Sequence, residues 1–461
     1  MNLGDQSFWY DEVVSIRLAA TAGPPALLRL LGEIDATRAP LHPLILQVWM
    51  RALGENEHAA RSLSAVFGVL TVAFVFAIGR QIGGNDTALW AAFFAAFSPL
   101  MIEYSREARM YALLTLLTTA TWWNLLRFRE RSTLPRLIFH ALLLAATILT
   151  HPLGLVMAAT QGLAWVLDRS RSRLLARGWM GIHLAALALV AGWAWRYLDH
   201  APEFTTGRLP IRFLLGMPIG FTGGDSSTYA VFAGLIALGL WPRPVRGLSR
   251  HFKTVSALPI VVWLVVPATL LYAYSWVGYP IFGPSRYNVY SAPAYLILIG
   301  RGLSTLGRVV AAVIGVYLIQ FAITMAMLTL MDTEVPMKAD WRAAARYLEQ
   351  YWPGEPVFVI APAPGRNFEV EVARYYIRDG RRIAPMPATR EEFDEATRDR
   401  SGHLIFTASR RGETPLGNVP RPLLSGRYAV FAPNQRGLRM YIIRGDLDAN
   451  RPASAIRDSL H

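Results

Sequence analysis

Apolar residues dominate the first two thirds of the chain in runs too long and too continuous for strands or for the amphipathic helices of a soluble core. Runs that span, or nearly span, a hydrocarbon layer roughly 30 Å thick lie at about Arg61–Gln81, Thr87–Ile102, Met110–Leu126, Leu134–Thr150, Pro152–Leu167, Trp179–Trp195, Tyr229–Trp241, Thr254–Trp276, Tyr287–Gly300 and Val309–Leu330. This pattern predicts a polytopic α-helical membrane protein with about ten spans. After Met331 the apolar positions fall into shorter alternating blocks. Asp340–Tyr351 reads as a helix with an N-cap residue and an apolar face, and Val370–Arg378 reads as a second helix. Val357–Ala361, Leu404–Ala408 and Met440–Arg444 read as strands. The expected organisation is a membrane domain over residues 1–330 and a small α/β domain over 331–461.

Charge orients the spans. Arg127, Arg129, Arg131 and Arg136 share one loop, Arg169, Arg171, Arg173 and Arg177 another, then come Arg243, Arg246, Arg250 and Lys253, then Arg301 and Arg308. Every second loop is arginine-rich, which assigns those loops to the cytoplasm and the chain to the inner (plasma) membrane. The segment Met1 to about Ala60, the turns at Glu103–Arg109 and His151, the loops Leu198–Thr228 and Val277–Arg286, and the tail after Met331 then face outward. An outward first segment needs something to translocate it, so the expectation is a first transmembrane helix encoded upstream of residue 1.

Composition narrows the class further. Of 461 residues 53% are hydrophobic and 17% charged, below the usual quarter for soluble domains, which excludes a single soluble enzyme. Net charge is +14, carried almost wholly by arginine, since Lys253 and Lys338 are the only lysines. Because the arginines sit in short loops between spans, they read as topology signals and not as a nucleic-acid surface. The chain has no cysteine, which removes disulfides, thiolate nucleophiles and cysteine metal sites together. No GxGxxG, Walker or metal-ligand spacing occurs, so the tail is expected to support, dock or recognise an acceptor.

Candidate chemistry lies in the outward turns. Gln6-Ser7-Phe8-Trp9-Tyr10 leads directly into the adjacent acids Asp11 and Glu12. Read alone, the cluster is first a helix start at the membrane interface; with polar company from other turns it also fits a general base tuned by a neighbouring acid. Glu103-Tyr104-Ser105-Arg106-Glu107-Ala108-Arg109 places four charges between two apolar helices. They form either a capping network of ion pairs or a set in which Glu107 positions a reactant while Arg106 or Arg109 neutralises a phosphate. His42, ahead of Pro43 at the start of a short interfacial helix, and His151, ahead of Pro152, are turn residues or polar site groups. Ser285-Arg286-Tyr287 follows a stretch containing Gly278-Tyr279-Pro280 and Gly283-Pro284. There an arginine can snorkel to headgroups or hold a lipid phosphate, and the glycine- and proline-rich stretch could close over a substrate.

In order along the chain, Gln6–Glu12, His42-Pro43-Leu44, Phe67-Gly68-Val69-Leu70-Thr71-Val72 leading to Gly79-Arg80, Tyr104–Tyr111, Thr150-His151 and Ser285-Arg286-Tyr287 resemble the integral-membrane glycosyltransferases of the C superfold. Within these they are similar to the glycosyltransferase family 39-like proteins, relatives of protein O-mannosyltransferases and of the aminoarabinose transferase. The Asp340-Trp341-Arg342 helix start also looks like the tail of many such proteins. The resemblance implies a polyprenyl-phosphate-linked sugar donor, a hexose or pentose, an extracytoplasmic active site and inversion at the anomeric carbon. It implies Asp11 as base, Glu12 as its neighbour, Glu107 as second-loop acid and Arg286, with Tyr287, on the lipid phosphate. Some such enzymes use a divalent cation. The implied partners are the lipid-linked donor, the bilayer and an extracytoplasmic acceptor, which is a glycolipid, a cell-envelope polysaccharide or a protein. A transporter or flippase is the competing class, but it would hold charges near the bilayer midplane in broken helices, whereas here they sit at outward helix ends. A scaffold whose tail binds a partner is the third.

Overall fold

The structure, a computed structural model, describes residues 3–35, 39–167, 178–188, 210–223, 226–241, 257–277, 285–331, 341–360, 368–385, 403–409 and 438–444, one or two positions within some ranges excepted. The arginine-rich loops at 169–177 and 243–253, the Gly278–Pro284 stretch, the end of the span expected at Trp179–Trp195 and much of the tail lie outside the described residues. Packing separates the chain into two units. One is Leu18–Met331, and the other joins Asn2–Arg17 with Asp332–His461. The second therefore takes in a segment that the division by sequence assigned to the membrane part.

In chain order the helices are α1 (Tyr10–Ala19), α2 (Pro24–Asp35), α3 (Leu41–Leu53), α4 (Glu57–Phe97), α5 (Pro99–Ser105), α6 (Tyr111–Glu130), α7 (Leu134–Thr150), α8 (Leu153–Leu167), α9 (Ile211–Gly216), α10 (Ile219–Thr222), α11 (Ser226–Leu240), α12 (Leu258–Val277), α13 (Ala292–Leu303), α14 (Arg308–Met331), α15 (Trp341–Tyr351) and α16 (Phe368–Tyr376). Among the described residues α4, α12 and α14 are long and apolar enough to cross a membrane, and α7, α8 and α11 are shorter apolar helices.

α4 is two helices in one. Its 41 residues would extend about 60 Å if straight, roughly twice the hydrocarbon thickness. At Gly84 the backbone leaves the helix, with φ 84° and ψ −170°, a region open essentially to glycine. A Cβ on Gly79 would lie 2.9 Å from the Ala88 Cα, a contact that a continuous helix cannot make across nine residues. The chain thus doubles back, so the apolar runs expected at Arg61–Gln81 and Thr87–Ile102 occupy two antiparallel arms. Asn56 caps the first arm by accepting from the Ala59 N–H at 2.8 Å.

The core is built on α13, every residue of which is buried. Its glycines let neighbouring backbones approach: a Cβ on Gly300 would meet Ala91 N of the second α4 arm at 2.7 Å, and one on Gly302 would meet the Leu235 carbonyl oxygen of α11 at 1.9 Å. Small residues at helix crossings are how membrane bundles gain van der Waals contact. The expected span from Tyr287 becomes α-helical only at Ala292, with two 3-10 turns before it and Pro293 in the first turn, where no N–H is missed. On α6 the indole of Trp122 stacks on that of Trp263 in α12 (5.3 Å, 10°). The α6 hydroxyls of Thr115 and Thr119 donate to carbonyls one turn back, at 2.8 and 2.6 Å, which satisfies them inside the bundle.

The tail elements form a four-stranded sheet of order β2-β1-β3-β4 from β1 (Val357–Ile360), β2 (Ile383–Pro385), β3 (His403–Ser409) and β4 (Leu438–Arg444). β1 runs parallel to β2 and β3, and β3 antiparallel to β4. α16 provides the crossover that a parallel β1–β2 pair needs. Val357, Phe358 and Val359 are all buried, as expected of a strand covered on both faces.

Candidate active site

α5 is a short helix started by Ser98, whose hydroxyl donates to the Phe221 carbonyl at 2.6 Å and accepts from Met101 N–H. It ends where the Arg106 N–H bonds back to the Glu103 carbonyl at 3.0 Å. The Arg109 N–H then closes a tight turn on the Glu107 carbonyl at 2.7 Å, and α6 begins at Tyr111. Glu107 and Arg109 are each only 6% exposed. Gly68, on the first arm of α4, makes this depth attainable, since a Cβ there would lie 2.2 Å from the Ser105 hydroxyl.

Around Arg109 the structure gathers four of the residues read from sequence. His42, in the first turn of α3, is buried and feels the Arg109 charge. His151, at the end of α7, feels both Arg109 and Arg286. The His151 ring lies 5.7 Å from Tyr111 and 6.4 Å from Tyr287. The Arg109 guanidinium lies 5.9 Å from the Tyr111 ring centre, and that of Arg286 lies 5.2 Å from Tyr287. Tyr104 completes the aromatic wall, 5.3 Å from Tyr111 and edge-on. Composition offered no reason to select Tyr104 or Tyr111. Their positions flanking the charged turn were the available signal.

The imidazoles are held neutral. Burial, and then Arg109, lowers His42 to about 3; burial, and then Arg109 and Arg286, lowers His151 to about 3. His151 Nδ1 accepts from the Leu153 N–H at 3.0 Å, so in the neutral ring the proton sits on Nε2. That atom is a donor directed away from the turn. Buried His42 Nε2 has no hydrogen-bond partner among the described residues. Two guanidinium groups near a neutral imidazole, with His42 and Arg109 buried and His151 and Arg286 half-buried, form an arrangement suited to binding an anion.

Arg106, in the same turn, donates from Nη1 to the Thr329 carbonyl at 3.0 Å, near the end of α14. Asp11 and Glu12 belong to the other unit. There they open α1, where Glu12 is fully buried and its Oε2 accepts from the Trp9 N–H at 3.3 Å, half of a capping box. The Asp11 carbonyl accepts from the Ser15 hydroxyl at 3.1 Å. Among the described residues no three His, Asp or Glu side chains converge as metal ligands.

The helical bundle that holds this charged turn and arginine-flanked histidine is similar in fold to solved structures of two membrane enzymes. Over 98% of its length the chain aligns with 96% of ArnT from Cupriavidus metallidurans bound to undecaprenyl phosphate, at TM-score 0.57 and 14% identity. Over 96% of its length it aligns with 72% of the apo Archaeoglobus fulgidus oligosaccharyltransferase, at TM-score 0.53 and 10% identity. Residues 37–195 match the sequence model of the dolichyl-phosphate-mannose-protein mannosyltransferase family. No curated protein sequence matches the chain. The resemblance read from the ordered motifs is accompanied by a family-model match over residues 37–195, about a third of the chain, and by likeness of fold to these structures.

Proposed function

We propose that the protein is an inverting glycosyltransferase that moves a sugar from a polyprenyl-phosphate donor to an extracytoplasmic acceptor, a glycolipid, cell-envelope polysaccharide or protein hydroxyl. The observation that carries this reading is the convergence of Arg109 and Arg286 on neutral His151, an arrangement suited to a phosphate monoanion at the membrane surface. The ArnT neighbour was solved with undecaprenyl phosphate, a ligand of the same chemistry.

In this mechanism the acceptor hydroxyl attacks C1 from the face opposite the phosphate, while Asp11 takes the hydroxyl proton. The C1–O bond to phosphate breaks, and the lipid phosphate leaves with its electron pair. Its growing negative charge is stabilised by Arg109, Arg286 and the His151 Nε2–H, which stand ready before the reaction. Tyr287 packs against Arg286 and keeps it directed, Glu107 acts as the second-loop acid beside Arg109, and His42 offers a polar group to the sugar. Glu12 holds the start of α1 and thereby its neighbour Asp11. About ten spans, an inner-membrane location and an outward tail complete the reading.

The test is transfer of label from a panel of polyprenyl-phosphate sugars by membranes containing wild type or Asp11→Asn. A general base contributes about 10²- to 10⁴-fold, and a loss of that size is expected. Full activity in the variant would remove Asp11 as the base.

A further inference from the structure

The acidic loop is fastened at several points to the tail. The Ser7 hydroxyl accepts from the Arg342 N–H at 3.0 Å, and so satisfies one of the free donors at the start of α15 from a position 335 residues earlier. The next residue, Phe8, is 1% exposed; its N–H donates to the Tyr376 hydroxyl at 2.6 Å and its ring meets Tyr375 edge-on at 5.8 Å. At the other end of the same stretch Arg17 pairs with Glu371, which also accepts from Arg374 at 3.0 Å. Glu371, Tyr375 and Tyr376 all come from α16, so one tail helix grips α1 on both sides of Asp11 and Glu12.

We infer that the tail is a positioning clamp for the acidic loop, and that Tyr376, Glu371 and the α15 N-terminus hold α1 so that Asp11 meets the acceptor hydroxyl at a fixed place. This rests on Asp11 being the base. It gives the tail a part in turnover instead of acceptor recognition alone. Tyr376, Glu371 and Arg17 are positioning residues that touch neither donor nor acceptor. Loosening them reduces the fraction of time in which the base is aligned, which lowers kcat and leaves donor KM in place.

The experiment uses the full chain in membranes, with labelled undecaprenyl-phosphate mannose or whichever polyprenyl-phosphate sugar the wild type turns over. Tyr376→Phe is expected to lower kcat about tenfold, the worth of one hydrogen bond to an ordered backbone amide, with donor KM within about twofold. Arg17→Gln and Glu371→Gln are expected to lower kcat individually and no further when combined. The chain has no cysteine, so Ser7→Cys with Arg342→Cys gives the one pair open to oxidation, on two residues that the Ser7 hydroxyl to Arg342 N–H contact of 3.0 Å brings side by side. Oxidation of that pair in the Tyr376→Phe background should restore kcat, and reduction should remove the gain. Wild-type kcat in Tyr376→Phe and in both charge variants, with Asp11→Asn inactive, overturns the clamp while leaving the base assignment intact. A loss that the oxidised pair does not restore also overturns it, as a folding defect. An active Asp11→Asn overturns the base assignment itself.

Discussion

At the scale of single residues, the arginines and histidines at the membrane surface have separable effects. Arg286→Leu removes a charge-assisted contact worth about 1.5–3 kcal/mol, so donor KM should rise roughly 10- to 100-fold with a smaller change in kcat. Arg286→Lys keeps the charge but loses the planar fork, and should recover only part of the affinity. The histidines govern acid stability. His42 and His151 stay unprotonated down to about pH 3 in the folded protein, whereas in an unfolded chain they take up protons below about pH 6.5. Between those limits the unfolded state binds more protons, so stability is flat above about pH 6.5 and falls as the pH drops, by at most roughly 1.4 kcal/mol per unit for each histidine. Melting temperatures in detergent from pH 8 to 4.5 should show this decline, and His42→Asn should make it shallower by one histidine's share while His151 keeps the rest. These positions were legible in the sequence because each stands where an apolar run stops at a proline or at a charged turn. The particular contacts of Arg106 and Arg109 were not: three residues apart, they are separated only by the backbone turn at Glu107, which no side-chain pattern encodes.

At the scale of elements, glycine decides where helices reverse and how closely they cross. Gly84→Val would force a side chain into a backbone conformation costing of order 1–3 kcal/mol, and the two arms of α4 should then lose their hairpin. Gly302→Ala would set a methyl 1.9 Å from the Leu235 carbonyl oxygen, which requires α11 and α13 to separate. Both variants should lower the thermal midpoint in detergent by several degrees, while Gly32→Ala, whose Cβ meets nothing within 4 Å, should not. The reversal itself was readable, since the gap between Gln81 and Thr87 holds Gly83, Gly84, Asn85 and Asp86. The late start of α13 was not, because Tyr287–Gly300 carries no charge, with only Asn288 and Ser291 polar among mostly apolar residues, and hydropathy does not distinguish a 3-10 turn from a helix. β2 escaped notice for a similar reason, being three residues long and ending in Pro385.

At the scale of the whole molecule, the partition at Met331 is visible as a change in apolar periodicity, but the attachment of Asn2–Arg17 to the tail leaves no local trace. Sequence patterns report neighbours within a few residues, and the contacts of Ser7, Phe8 and Arg17 are made with residues 335 to 368 positions away. A chain ended after Met331 is accordingly expected to insert into membranes yet to transfer no sugar, measured by protease protection alongside label transfer.

That separation also sets a schedule for biosynthesis. The acidic loop is synthesised well before its hydrogen-bond partner Tyr376, which follows 368 residues later. At about 5–20 residues per second, the loop waits on the order of twenty to seventy seconds before the helix that anchors it exists. During that interval Asp11, Glu12 and the neighbouring aromatics exist without the tail contacts of Ser7, Phe8 and Arg17. On the clamp reading, competence for transfer arrives only once α16 has been made, and until then the acids stand without their anchor.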